Sequence, residues 1–269
     1  NAVFYVELVD QGAIGQNRRS NPATYVGAFD HIREWMAQAP TAKTAGLGPG
    51  HFSFNSPGGR CEACAGDGYV TIEMQFLADV ELVCEQCKGM RYRPEILEIR
   101  RNGLNIHQIL NLTVEEACAF FENEAKIAAR LRLLERVGLG YLRLGQSVAT
   151  LSGGEAQRLK LASFLERRPD QTTLYIFDEP STGLHFHDVR LLVELMHELA
   201  DAGHTVVVIE HNIEIVKTAD WIIDLGPEGG ENGGRVLYQG PPEGLTDVRE
   251  SHTSRFLAEK LKSTTPNGR

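Results

Sequence analysis

No stretch of this sequence stays apolar for the roughly 18 or more residues that a membrane-spanning helix needs, so it encodes no such span. It also lacks a basic excess: 27 Lys and Arg stand against 36 Asp and Glu, a net −9. That excludes a wholly basic nucleic-acid coat and leaves room for a local basic patch. Gly-Lys dipeptides are missing, and with them any G-x-x-x-x-G-K-[ST] loop to cradle phosphates with backbone N–H groups and a lysine. The first residue is Asn1 rather than Met, and no charged-then-apolar leader follows. The expectation is therefore a fragment. Internal repeats and low-complexity tracts are missing too.

What is present supports a real core. Of 269 residues, 42% are hydrophobic and 23% charged, enough for one large domain or two ordinary ones.

Four of the five cysteines form a pattern: Cys61-x2-Cys64, nineteen residues, then Cys84-x2-Cys87. Each C-x-x-C places two thiolates on one tight turn, and two such turns make a tetrahedral sulfur cage for Zn²⁺. Gly66, Gly68 and Gly89 follow the second thiolates, where a knuckle needs unusual backbone angles. Residues 69–74 and 80–83 read as short strands, so zinc would clamp the base of a hairpin. The competing readings are two disulfides or a thioredoxin-like redox pair; two pairs at this spacing favour zinc. Such zinc is structural, because four thiolates leave no open position for water. The fifth cysteine, Cys118, reads as a small core residue beside Ala117, Phe120 and Phe121.

Along the chain, residues 3–9 suggest a strand. Residues 12–60 read as irregular apart from one helix over about 29–38. Thr113-x-x-Glu116 is a capping box opening a helix, and 126–137 is a second helix stopped by Gly138. Helices are expected over 154–167, 188–202 and 212–218, with strands at 173–177, 205–209, 221–225 and 235–238. This alternation, with two fully apolar strands, predicts an α/β fold with a mostly parallel sheet covered on both faces.

Three segments carry chemistry. Leu174-Tyr175-Ile176-Phe177-Asp178-Glu179 is an apolar strand delivering two carboxylates to its C-terminal edge, where ligands bind in open α/β sheets. One can hold the water shell of Mg²⁺ while its neighbour polarises an attacking water. In Leu151-Ser152-Gly153-Gly154-Glu155, Ser152 caps a helix with two glycines in its first turn, leaving N–H groups open to a phosphate. Val206–Ile209 leads to Glu210-His211, at the same sheet edge as the two acids.

LSGGE, LYIFDEP and VVVIEH in this order resemble an ABC-type ATPase. With the four-Cys pattern, Val9-Asp10-Gln11, Ser20-Asn21-Pro22-Ala23-Thr24-Tyr25, Phe52-Ser53-Phe54-Asn55, Gly58-Gly59-Arg60, Thr182-Gly183-Leu184-His185 and Asp224-Leu225-Gly226-Pro227-Glu228-Gly229-Gly230, the sequence resembles the UvrA family. These are DNA-damage recognition ATPases of the bacterial excision nuclease, and the match is to their C-terminal ABC module.

The resemblance implies an ABC-type ATPase lobe with a helical signature region and an inserted four-Cys zinc hairpin module. Its divisions would be 1–58 (N-terminal part with the Q-loop), 59–103 (zinc module), 104–170 (signature region) and 171–269 (core with Walker B and switch histidine). Asp178 would be the Mg²⁺-associated acid and Glu179 the general base for water. His211 would be the switch histidine at the γ-phosphate, and Gln11 the Q-loop glutamine. Ser152, Gly153, Gly154 and Glu155 would act across an interface on ATP held by another module. Walker A would precede Asn1, so the chain alone is expected to bind ATP poorly and hydrolyse little. Gly229–Gly234 is a poor substitute, since Glu228 and Glu231 would repel phosphate and the flanking strands suggest a hairpin turn.

For DNA, Lys88, Arg91, Arg93, Arg100 and Arg101 outnumber Glu95 and Glu98 by three beside the second knuckle. A solvated face fits that charge equally well; the resemblance favours contact with damaged double-stranded DNA, sensed through duplex deformability. Arg18 and Arg19 form a weaker patch, and His185 and His187 read as loop residues. Implied partners are UvrB, a second UvrA copy and the upstream ABC module, with no membrane and a cytoplasmic location. Alternatives are a UvrA paralogue in drug or toxin self-resistance, or a non-catalytic zinc-binding interaction module, against which the intact Asp178, Glu179, His211 and LSGGE count. A transport ATPase is disfavoured by the four-Cys insertion.

Overall fold

The computed structural model describes residues 5–9, 19–72, 74, 80–166, 172–184, 186–228 and 234–264. The chain divides into two compact units, Asn1–Gly12 with Pro169–Arg269, and Ala13–Arg168. The described strands are β1 (Tyr5–Val9), β2 (Tyr69–Ile72), β3 (Val80–Val83), β4 (Thr173–Asp178), β5 (Thr205–Ile209), β6 (Ile222–Gly226) and β7 (Arg235–Gly240).

The unit Ala13–Arg168 is mainly helical. Its helices are α1 (Pro22–Tyr25), α2 (Ala28–Ala37), α3 (Pro40–Thr44), α4 (Pro94–Glu98), α5 (Ile106–Asn111), α6 (Val114–Phe120), α7 (Ala125–Arg136) and α8 (Gly153–Glu166). Residues 12–60 are thus less irregular than the sequence suggests: α1, α3 and a 3-10 turn (Pro49–Phe52) join the expected helix. Each has proline in its first turn, where the missing N–H costs nothing and φ is preset. Asn21 and Thr24 add a reciprocal capping box to α1. Helix α2 buries Ala28, Phe29, Ile32, Trp35 and Met36, the 3–4 spacing of one helix face. Trp35 meets Phe121 and Phe120 edge-on at 5.1 and 5.9 Å, and its indole N–H donates to Glu124 at 2.6 Å. Thr113 and Glu116 form the expected capping box of α6, and Gly138, at φ 73°, ends α7. Cys118 is only partly buried, not a core residue, though burial still pushes its thiol up to about 12.

In the other unit, β4 lies between β1 and β5 in a parallel three-stranded sheet. Thr173, Tyr175 and Phe177 alternate inward and are buried. Helix α9 (Phe186–Asp201) buries Val189, Leu192, Leu195, Met196 and Leu199 and packs on β5. Helices α10 (Ile213–Val216), α11 (Pro242–Leu245) and α12 (His252–Thr264) complete the unit. The strands at 222–226 and 235–240 pair with each other, antiparallel, as their own two-stranded sheet, in keeping with the hairpin expected of the strands that flank Gly229–Gly234. Parts of the parallel sheet face solvent: Tyr5, Val6, Leu8, Val207 and Ile209 are exposed, Val6 by 62%. Among the described residues no helix is long and apolar enough to cross a membrane.

Candidate functional site

Parallel pairing puts the carboxyl ends of β4 and β5 side by side, with Asp178 opposite Ile209. The residues that follow each strand therefore meet at one edge. Glu179 takes the left-handed conformation at φ 44°, and its N–H donates to the Ile209 carbonyl at 2.9 Å, turning the chain sharply off the sheet. Its carboxylate Oε1 lies 4.0 Å from His211 Nδ1, and Oε2 accepts from the Thr182 hydroxyl at 3.4 Å. Asp178 and Glu179 are half-buried, whereas the His211 side chain is 79% exposed. The edge thus offers hard oxygen donors of the kind Mg²⁺ takes and an imidazole facing outward. Glu210 joins the two turns, although the sequence pattern marks it only as the residue before His211. Gln11, Arg18, His185 and Gly229–Gly233 lie outside the described residues. For the glycine segment, only the antiparallel pairing of the strands on either side is seen.

The LSGGE segment belongs to the helical unit. Ser152 caps α8 reciprocally with Glu155: the Glu155 N–H donates to the Ser152 hydroxyl at 3.3 Å. The Ser152 N–H and hydroxyl in turn donate to Glu155 Oε2 at 2.7 and 2.8 Å. The Tyr141 hydroxyl donates to Oε1 at 2.8 Å. Burial alone would raise the Glu155 carboxyl; the Ser152 and Tyr141 hydrogen bonds and the Arg158 charge outweigh it and hold it below its ordinary value. Where the sequence suggests N–H groups open to an incoming phosphate, the chain's own carboxylate takes part of that role. The S-x-x-E spacing was the available signal.

The four cysteines are free, buried and mutually close, all sulfurs lying within 4.8 Å of one another. Cys61 and Cys84 Sγ are 3.9 Å apart, Cys64 and Cys87 Sγ 3.6 Å. Four Zn–S bonds of about 2.3 Å at tetrahedral angles require sulfurs about 3.8 Å apart, so the cage fits zinc held by four thiolates, and the sulfurs are too far apart for disulfides. The two knuckles repeat one backbone shape: Ala65 and Gly66 after Cys64, Lys88 and Gly89 after Cys87, all at positive φ. A Cβ on Gly66 would fall 1.8 Å from the Phe54 carbonyl oxygen, so glycine is required there. Backbone N–H groups help to hold the sulfurs, as Gly68 does to Cys64 at 3.2 Å. Hydrogen bonds from the Cys87 and Gln86 backbone hold the Cys84 thiol down to about 7, whereas burial pushes Cys87 up to about 12. The clamped hairpin is β2 and β3, with Met74 outside the strand. Tyr92 fastens the knuckles to the helical core: it is buried, its hydroxyl donates to the Phe52 carbonyl at 3.0 Å, and its ring meets Phe54 at 6.5 Å.

The basic residues beside the second knuckle have unequal surroundings. Lys88 is exposed. The Arg91 guanidinium lies 5.3 Å from the Phe54 ring centre, and Arg93 pairs with Glu62 at 3.3 Å. Arg100 donates to the Gly103 carbonyl and Gln108, both at 3.0 Å. Arg101 stacks 4.3 Å from the Trp35 ring centre, donates to the Trp35 carbonyl and pairs with Glu124 at 3.9 Å. Arg100 and Arg101 thus spend donors on the chain itself, a use that charge counting does not reveal. Arg19 pairs with Asp67 at 2.8 Å.

No family model matches the chain. It is 57% identical over 254 residues to UvrABC system protein A of Pasteurella multocida, covering 94% of the chain and 27% of that protein. It is equally 57% identical over 256 residues to UvrABC system protein A of Methanothermobacter thermautotrophicus, covering 95% of the chain and 26% of that protein. The crystal structure of UvrA2 from Deinococcus radiodurans superposes with a TM-score of 0.89 at 47% identity, over 96% of this chain and 32% of that one. The chain spans about a quarter of the length of the curated relatives it matches.

Proposed function

We propose, from the premise that this chain belongs to the UvrA family, that it is the C-terminal ABC segment of an ATPase that recognises damaged DNA in excision repair. The observation that carries this reading is the convergence of Asp178, Glu179 and His211 at one edge of a parallel sheet, with the Glu179 carboxylate 4.0 Å from the imidazole. In this reading Asp178 holds the water shell of Mg²⁺ and Glu179 accepts a proton from the attacking water. His211 donates to the terminal phosphate of ATP, and Gln11 serves as the Q-loop glutamine. Bound Mg²⁺ supplies charge neutralisation on the phosphates. Ser152, Gly153, Gly154 and Glu155 contact nucleotide held by another ABC module, so Glu155 must release Ser152 when phosphate arrives.

Zn²⁺ on Cys61, Cys64, Cys84 and Cys87 is structural in this account. It would hold a hairpin whose neighbours Lys88 and Arg91 face duplex phosphates; Arg93, Arg100 and Arg101 are weaker candidates, because their donors are already engaged. The partners are damaged double-stranded DNA, UvrB, a second UvrA copy and the upstream module, in the cytoplasm. The test is binding of the full-length protein to damaged and undamaged duplexes at several stated salt concentrations, with ATP. Preference for damaged duplex that weakens when Asp178 becomes Asn supports the proposal; equal binding to both duplexes in all conditions overturns it.

A further inference from the structure

Glu210 follows β5 directly, and its carboxylate gathers three backbone N–H donors from two separate turns. Oε1 accepts from Ser181 N–H at 2.8 Å, in the turn that follows Glu179 and Pro180. Oε2 accepts from His211 and Asn212 N–H, each at 3.0 Å, in the turn that carries the imidazole. No Lys, Arg or His pairs with Glu210 among the described residues, so these N–H groups answer its charge; hydrogen bonds to an ionised acceptor are short and strong. Two further links cross the same gap: Glu179 N–H to the Ile209 carbonyl at 2.9 Å, and the Asn212 side-chain amide to the Ser181 hydroxyl at 3.4 Å. The Asn212 side chain also accepts from Glu214 N–H at 3.0 Å, capping α10.

Each turn has hydrogen bonds of its own, such as Thr182 N–H to the Glu179 carbonyl at 3.1 Å and Glu214 N–H to the Asn212 side chain at 3.0 Å, but these stay within one turn and do not set the distance between the two. Glu179 sits at φ 44°, a conformation that a non-glycine residue keeps only when its surroundings enforce it. Most of the His211 side chain is in solvent, so its position follows from its backbone. We propose that Glu210 is a positioning residue: its carboxylate clamps the turn after β4 to the turn after β5 and so sets the spacing between Glu179 and His211. The proposal rests on the ATPase reading of this edge. Glu210 points at backbone rather than at the gap between the two groups, so it exchanges no proton with substrate.

The experiment compares Glu210→Ala and Glu210→Gln in the full-length protein, with Glu179→Gln alongside. Steady-state ATP turnover, thermal melting and amide exchange at Ser181, His211 and Asn212 are measured on each. A glutamine keeps one acceptor oxygen and can serve only one of the two turns. The clamp predicts that Glu210→Ala lowers kcat about 100-fold, the scale of a misplacement of about 1 Å, with KM for ATP nearly unchanged. It predicts that Glu210→Gln falls part way and that the three amides exchange faster in both variants. Wild-type kcat in a folded Glu210→Ala variant while Glu179→Gln is inactive overturns the clamp alone, as does a lowered melting temperature with kcat intact. Full turnover by Glu179→Gln overturns the site reading beneath it.

Discussion

At Cys61, Cys64, Cys84 and Cys87, two short turns bring four sulfurs together with no more than 7% of any residue exposed. At Asp178, Glu179 and His211 the groups stand on neighbouring strand ends, and the imidazole is largely in solvent. The first site offers four sulfurs, a complete tetrahedral set for an ion such as Zn²⁺. The second leaves one side open to solvent, which suits the substrate exchange of the proposed ATPase centre. Construction follows the same division: the knuckle depends on local backbone shape, the edge on register between strands about thirty residues apart in sequence.

The largest expected effect breaks the closed side. Cys84→Ala removes one of four ligands; structural zinc contributes about 10–16 kcal/mol of apparent binding energy in small finger peptides, so its loss should unravel the hairpin. Atomic emission should find one zinc per chain in the wild type and none in the variant. Amides of Tyr69–Ile72 should then exchange rapidly while those of β4 and β5 stay protected. Retained zinc would contradict the four-sulfur cage.

Trp35→Ala tests the core on which the knuckle unit rests. It removes the edge-on contacts with Phe120 and Phe121 and the surface under Arg101. The expected cost is about 3–5 kcal/mol, read from denaturant unfolding of the helical unit. Tyr92→Phe is milder: it keeps the ring and leaves the Phe52 carbonyl without its donor, at about 1–3 kcal/mol.

The smallest effect concerns the start of α8. Ser152→Ala should destabilise that helix by about 0.5–2 kcal/mol. The Glu155 carboxyl lies below its ordinary value in the folded chain, so its support is complete above the usual carboxylate range and fades as pH falls through the lowered value. Amide exchange in the first turn of α8, followed downward in pH, should show that loss in the wild type and not in Glu155→Gln.

Spacing alone made the closed site legible, because C-x-x-C specifies a local turn and two such turns specify a cage. Asp178, Glu179 and His211 were legible as residues, and the parallel character of their sheet followed from strand–helix alternation. The pairing of the last two strands was legible too, because the Gly-rich segment between them suggested a hairpin turn, and β6 and β7 pair antiparallel. Helices α1 and α3 are too short for a period to register and announce themselves only through Asn21-Pro22 and Pro40. Arg101 looked like part of a basic patch because its stacking partner, Trp35, is 66 residues away. Glu210 was invisible for the same reason, since its role lies in backbone N–H groups gathered from two turns.

The open site carries the central claim, and turnover of ATP by Glu179→Gln in the full-length protein tests it most directly. Loss of the proposed general base should lower kcat by about 10²–10⁴-fold with nucleotide binding retained, because glutamine preserves shape and removes only the proton acceptor. Turnover equal to the wild type would show that the acids at this edge do not activate water.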